Sequence, residues 1–590
     1  MIFYDFEVFK CDWLMCYIDT NTKSSGVIHN DKDELESLYL KNRNEIWVGY
    51  NSRNYDANIL KYILLGLNPK ILNDWIIKEH KPAYEKMKGL RTVTLNNYDC
   101  YAFGRRLKEL EGFMGERMKE SKVNFDIDRP LRDDELAETV EYCMHDVEQT
   151  FKVFMKCYDD FKAHLDLVKI ACNGNLDLRF MNYTKPRLSG LILNAIPREH
   201  KDEFDVDFPE TLRLKKYANA IDWFKRVLKE KNPYNVTEGR NITLNGKFNA
   251  EGLEYQMGFG GAHGAIEQFH DKGYFINMDV TSLYPSLMIE YNLHSRNINN
   301  PQKFIDIYHD RIRYKKEKNP LATPLKLLLN STYGIMKDEH SAMYDPRQAN
   351  KVCVYGQLLL LDLIEHLEPY AKIIQANTDG ILIQMPQGYD IDKWYDLIDD
   401  VAYEWESRTR LKLEFDEYTE VYQKDVNNYV IIAEDGHYKS KGAYVKELND
   451  LDNDLPIVNR ALVEFMLHKI PPRVTIAKCD SLKDFQMVVK VSGKYEGGFE
   501  LDGMKVAEQV LRVFACKNGR KLTKIKIDDS GMRISEKVAN TPESLFINLE
   551  DINNSKVPSN LDKQWYVNLA NSRLKDFLGD KAYKDIENVL

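Results

Sequence analysis

The sequence predicts a multidomain α+β protein. At 590 residues and 43% hydrophobic composition the chain can fill several cores. Apolar strand-like runs in IFYDFEVF, FINM and KIIQA are interspersed with helix-like segments in EYCMHDVEQTF, KLLLNSTYG and WYVNLANSRLKDFL. The longest apolar run, near Leu358 to Ile364, is too short to span a bilayer, and nothing resembles a signal peptide. A soluble cytoplasmic chain with no membrane partner is expected. Nine cysteines with no CxxC pair argue against a zinc ribbon or an iron–sulfur cluster and suit a reducing cytosol. A metal site here would be built from oxygens.

The elements follow in chain order. IFYDFEVF reads as a buried strand with Asp5 and Glu7 two apart on one face. Such a pair repels unless something positive lies between its members, and a metal is the natural resolution. GYNSRNYDANIL offers Asn51, Tyr55 and Asp56, and EYCMHDVEQTF reads as a helix that carries Tyr142 and Asp146 at i and i+4. GFGGAHG, at Gly258 to Gly264, is a flexible glycine segment. In FINMDVTSLYPSLM, Phe275 to Met278 read as a buried strand, Asp279 as its end, and Ser282 to Ser286 with Pro285 as a turn. The plain alternative for Asp279 is a strand-end cap.

RIRYKKEK, at Arg311 to Lys318, reads as a helix with Arg311 and Lys315 at i and i+4. KLLLNSTYG, from Lys326 to Gly334, reads as a helix entered through Pro320 and Pro324, with Lys326, Asn330 and Tyr333 on one face. KIIQANTDGILIQM reads as a hairpin with Asp379 at its tip, because Asp-Gly between β-rich runs is a strong turn signal. Two strand-end carboxylates brought together can hold two divalent ions about 3.5 to 4 Å apart, which is the requirement of phosphoryl transfer. The net charge of −10 gives no overall excess of cations for nucleic acid. Two local runs could still line a basic groove: the one at Arg311, and KNGRKLTKIK at Lys517 to Lys526. WYVNLANSRLKDFL closes the chain with helical spacing.

With these segments in hand, the chain resembles a family B DNA polymerase. MDVTSLYPS is similar to that family's motif A, KLLLNSTYG to motif B and ANTDG to motif C, in the family's order. The resemblance implies that Asp279, Asp379 and the backbone of Val280 bind two Mg²⁺ ions, with Mn²⁺ an alternative. It implies nucleotide contacts from Ser282, Leu283, Tyr284, Arg311, Lys315, Lys326, Asn330 and Tyr333, with Tyr284 excluding a 2′ hydroxyl. The three amino-terminal segments resemble the motifs of a 3′–5′ proofreading exonuclease. That likeness makes Asp5, Glu7, Asp56 and Asp146 metal ligands, Tyr142 the residue that orients the attacking water, and Asn51 a contact to the displaced primer end. Lys119 or Lys122 would be its cationic helper. Phe259, Gly260 and Gly261 resemble a template-contacting segment of protein-primed phage polymerases, and Gly334 and Thr378 would also meet DNA.

Two positions depart from the family pattern. Asn377 stands where motif C usually has its first Asp, which weakens the local negative potential and bears on the choice of metal. Asn427 stands where a primer-gripping Lys-x-Tyr segment has its lysine, Tyr429 is kept, and Lys424 or Lys441 could substitute. The intervals around motif B leave no room for the insertions of protein-primed enzymes, so neither terminal-protein priming nor intrinsic high processivity is expected.

The implied architecture is an α/β ribonuclease H-like exonuclease domain (1–165), a linking region (166–250), and a right-hand polymerase. Its palm covers 251–300 and 345–450, its fingers 301–344 and its thumb 451–590. The implied function is primer extension with proofreading in phage DNA replication, by a monomer acting on primer-template DNA, single-stranded 3′ ends and dNTPs, alongside phage replisome proteins. Two rivals are an exonuclease whose polymerase half only binds DNA, and a non-catalytic replication scaffold.

Overall fold

The computed structural model describes residues 1–229, 242–246, 253–495, 497–528 and 530–586. Three separate stretches build each of its two compact units. Met1–Thr184, Leu448–Ile457 and Lys478–Tyr566 form the first, and Lys185–Glu447, Val458–Ala477 and the chain from Val567 onward form the second.

In the first unit, β1 (Ile2–Val8), β2 (Trp13–Asp19), β3 (Ser24–His29), β4 (Trp47–Gly49) and β5 (Asn97–Asp99) form a sheet in the order β3-β2-β1-β4-β5. β1 is antiparallel to β2 and parallel to β4. As a central strand it is covered on both faces, which explains its nearly unbroken apolar sequence. Ile2, Tyr4, Phe6 and Val8 enter a core with Trp13 and Trp47. On the other face Phe3 packs edge-on against Phe151 and Phe154, with ring centroids 5.0 and 5.1 Å away. Three helices serve the site: α1 (Asp56–Leu64), α2 (Leu107–Met114) and α3 (Asp133–Lys156). Phe151 and Phe154 belong to α3, so Asp5 and Glu7, which alternate with Phe3, face that helix.

The second unit holds β6 (Ile242–Gly246), β7 (Leu253–Met257), β8 (His263–Ala265) and β9 (Phe269–Val280), followed by α4 (Leu283–Glu290), α5 (Pro301–Lys316), α6 (Ala322–Ile335) and α7 (Pro346–Leu367). Then come β10 (Lys372–Asn377), β11 (Gly380–Gln384), α8 (Ile391–Thr409), β12 (Leu413–Asp425), β13 (Asn428–Ile432) and β14 (Tyr438–Lys441). Among the described residues nine strands form one sheet in the order β14-β13-β12-β9-β11-β10-β8-β7-β6. β9 lies between β11 and β12, antiparallel to both.

The expected turn at Ser282 to Ser286 is instead the start of α4. Ser282 takes φ 49° to reverse the chain, and Pro285 falls in the helix's first turn, where its missing N–H costs nothing. The apolar run at Leu358 to Ile364 lies inside α7, and its buried Asp362 pairs with Arg408 of α8 at 2.8 Å. Among the described residues no helix is long and apolar enough to cross a membrane.

The carboxy-terminal stretch, read from sequence as one thumb, is divided between the units. Its strands β15 (Met487–Lys490), β16 (Gly498–Leu501), β17 (Met504–Val506), β18 (Val510–Arg520), β19 (Leu522–Ile527), β20 (Arg533–Lys537) and β21 (Leu545–Ile547) belong to the first unit. Most of the last helix, α9 (Lys563–Ile586), belongs to the second. Arg512 of β18 supplies the physical reason. It is fully buried, and its guanidinium donates to the carbonyls of Glu111, Gly112 and Glu116 at the end of α2. A charge held there without those acceptors would cost several kcal/mol.

Candidate active sites

The ends of β9 and of the β10–β11 hairpin open into a cavity of about 820 Å³. Asp279 stands opposite Gly380 on one side and Glu414 of β12 on the other. The hairpin turns through Thr378 and Asp379, with Thr378 at φ 62° and the Asp379 N–H donating to the Asn377 carbonyl at 2.7 Å. The Asp379 carbonyl accepts from the Val280 N–H at 2.7 Å, which fixes the two acid-bearing tips against each other. Asp279, Val280, Ser282, Thr378, Asp379 and Tyr429 all line this one cavity. Burial and the neighbouring Asp279 push the Asp379 carboxyl above its ordinary range.

The donor set suits a divalent cation. Asp279 and Asp379 offer carboxylates that repel each other, and the ammonium of Lys439 lies 3.1 Å from Asp279 Oδ2, marking a position where positive charge is stabilised. Although burial opposes it, Asp279 raises the Lys439 pKa. Asn377 also lines the cavity, and its amide nitrogen donates to the Val426 carbonyl at 3.0 Å, a bond an aspartate could not make.

The nucleotide-side expectations divide. Arg311 and Lys315 of α5 line the cavity, joined by Lys316, and Arg311 donates to Ser282 Oγ at 2.6 Å. Lys326, Asn330 and Gly334 form an exposed face of α6 that is not part of the cavity lining. Tyr284 stacks on Tyr333, with centroids 4.4 Å apart. Leu283 is buried, and neither it nor Tyr284 or Tyr333 is part of the cavity lining.

Of the two substitutes for the missing lysine, Lys441 lines the cavity, while Lys424 lies over the Tyr444 ring and 3.8 Å from Asp576. The glycine segment abuts the hairpin tip, because a Cβ on Gly261 would lie 2.6 Å from Thr378 Oγ1. Gly260 is open to space, and the Phe259 carbonyl accepts from Lys337 Nζ at 3.0 Å.

A second acid cluster lies within the first unit. Asp5 and Glu7 of β1 and Cys143 of α3 have ligating atoms within 4.8 Å of one another, and Glu111, His145 and Asp146 form a similar group. Asp56, the first residue of α1, accepts from the Phe6 N–H at 3.2 Å. Burial and mutual repulsion raise Asp5 and Glu7 well above the usual carboxylate range, and burial above all pushes Asp56 to about 7. Four buried acids under this strain fit a cation-binding centre. Asn51 sits in the loop before α1, exposed and at φ 56°.

The cation found in this cluster is neither Lys119 nor Lys122. Lys108 of α2 reaches Asp146 at 2.5 Å and Glu111 at 3.0 Å, and lies over the ring of Tyr142 at 4.8 Å. Lys119 pairs with Glu141 at 2.7 Å, and Lys122 is exposed.

Over 472 residues the chain is 21% identical to DNA polymerase 1 of Aeropyrum pernix. It is a distant relative of an archaeal DNA polymerase. The match covers 70% of this chain and 44% of the archaeal protein, so the chain spans less than half the length of that relative. Among solved structures, the family B DNA polymerase from the hyperthermophilic archaeon Pyrobaculum calidifontis aligns with a TM-score of 0.38 and 13% identity, covering 98% of this chain and 78% of that one. No family model matches.

Sequence reasoning missed Lys108, Glu111, Glu414 and Lys439. Lys108 and Glu111 share α2 but meet Asp146 and His145 of α3, and Glu414 and Lys439 reach Asp279 from other strands. The one local trace was the run of alternating acids in LKLEFDEYTE, which sets Glu414 and Asp416 on the face of β12 that carries the registers of Asp279 and Asn277.

Proposed function

We propose that the chain is a DNA-dependent DNA polymerase with a 3′–5′ proofreading exonuclease, serving phage DNA replication. The observation that carries this reading is the pairing of Asp279 with the Asp379 hairpin tip at one cavity, which the cations of α5 also line. When bound there, divalent ions would supply activation of a primer 3′ hydroxyl and charge neutralisation at the leaving pyrophosphate. Asp279, Asp379 and the Val280 carbonyl would hold them.

The remaining steps belong to the chain's own groups. Arg311, Lys315 and Lys316 draw the triphosphate to the α5 side, where Ser282 at the start of α4 also lines the cavity. The Tyr284–Tyr333 stack sets a rigid wall for the sugar, and Tyr429 with Lys441 faces the primer.

In the first unit Asp5, Glu7, Asp56 and Asp146 would hold the ions of the editing reaction, with Lys108 fixing Asp146 and Tyr142 orienting water. The β3-β2-β1-β4-β5 order, three antiparallel strands followed by two parallel ones, supports a ribonuclease H-like reading of this unit.

The test is a primer-extension assay with dNTPs and Mg²⁺ on the chain and two variants. Asp279→Asn should stop extension and leave single-strand degradation, while Asp5→Ala combined with Asp56→Ala should do the reverse. Degradation by the unaltered chain without any extension would leave only the nuclease rival, and neither activity would leave the scaffold.

A further inference from the structure

The cavity around Asp279 carries an unusual balance for a centre built to bind cations. Three acids line it, Asp279, Asp379 and Glu414, against five cations: three from α5, together with Lys439 and Lys441 of β14. Asn377 deepens the imbalance, since the hairpin tip presents one carboxylate and turns its amide to the Val426 carbonyl. Asp279 itself is already occupied. Its Oδ2 accepts from Asn277 Nδ2 at 2.7 Å and from Lys439 Nζ at 3.1 Å, while its Oδ1 is turned to the face of Gly380. Lys439 comes from an outer strand, with β13 and β12 standing between β14 and β9 in the sheet order, and its ammonium still meets the acid at the end of β9.

Resting on the polymerase reading, we propose that Lys439 is a positioning residue that gates metal loading. Its ammonium holds the Asp279 oxygen that a divalent ion requires. With positive charge in excess, the cavity has little attraction for such an ion on its own. A triphosphate reverses the balance: its oxygens attract Lys439 away from Asp279 and add ligands beside the freed carboxylate. Metal and nucleotide therefore enter together, and the acids are not left charged with metal while a primer end waits alone.

The test is Mn²⁺ binding to the full chain, followed by the electron paramagnetic resonance signal of the free ion, with and without a dNTP. Because the acids of the first unit could also hold cations, only the binding that Asp279→Asn removes is counted. Without nucleotide, Lys439→Met should bind Mn²⁺ about tenfold more tightly than the unaltered chain. Lys439→Arg, which keeps the charge, should remain weak, and with dNTP all three should converge. Nucleotide-free binding that is unchanged or weakened in Lys439→Met would overturn the proposal, as would tight binding in Lys439→Arg. If the unaltered chain extends no primer, the polymerase reading falls. If it extends and Lys439→Met binds no tighter, only the gate falls.

Discussion

Gly380 stands directly across from Asp279, and a Cβ placed on it would lie 2.0 Å from Asp279 Oδ1. The glycine after the hairpin's acid is thus required by the neighbouring strand, while the left-handed residue of the turn is Thr378. Gly380→Ala should displace the Asp279 carboxylate and lower the extension rate by about a hundredfold, near 2.7 kcal/mol on the barrier. Comparing extension with single-strand degradation in one preparation checks this, since degradation by the other acid cluster should be unchanged.

Lys108 binds two buried acids at once. Lys108→Met should abolish degradation and destabilise the first unit by about 3 to 5 kcal/mol, because Glu111 and Asp146 would lose the ammonium that both of them contact. Adding Glu111→Gln should recover most of the stability and none of the activity. Thermal unfolding beside a degradation assay separates the two effects.

Tyr284 is held by its stack on Tyr333. Tyr284→Ala should admit ribonucleotides, and Tyr333→Leu should do so more weakly by loosening the ring without removing it. The measurement is kcat/KM for ATP against dATP, where the ratio should rise by at least about tenfold in the first variant. An unchanged ratio would remove Tyr284 as the residue that excludes the 2′ hydroxyl.

Glu420 accepts from Lys469 Nζ at 2.9 Å, Tyr422 OH at 2.7 Å and His270 Nε2 at 3.0 Å. Burial alone would raise its pKa, but these bonds outweigh burial and hold it at about 2. A carboxylate depressed in the folded state contributes stability that is complete above its unfolded pKa and vanishes as pH falls through the folded one. Glu420→Gln should therefore cost about 1 to 2 kcal/mol at neutral pH, a figure reduced for screening at the exposed Lys469. The melting-temperature difference between the two proteins should shrink steadily from about pH 5 down to about pH 3.

Much of the second unit's site was legible because it is local. The strand ending at Asp279, the hairpin carrying Asp379 and the helices holding Arg311 and Tyr333 all follow from periodicity and turn chemistry within a dozen residues. Glu414 and Lys439 were not legible, since sheet order brings them to Asp279, and sheet order is a long-range property. Lys108 and Lys119 are equally plausible as cations on paper. Lys119 is claimed by Glu141, and that contact is decided by how α2 and the chain after it lie against α3. The division of the carboxy-terminal stretch was hidden for a related reason: Arg512 reads as a lone charge in an apolar strand until the carbonyls of α2 surround it.

That arginine also sets an order of events at the ribosome. Residues 478–566 complete the unit that begins at Met1, and they are synthesised after nearly all of the second unit. The nascent amino-terminal segment must therefore wait, with the carbonyls at the end of α2 lacking their guanidinium, until Arg512 emerges. A ribosome that stops after residue 447 would release the second unit almost whole and the first unit unfinished.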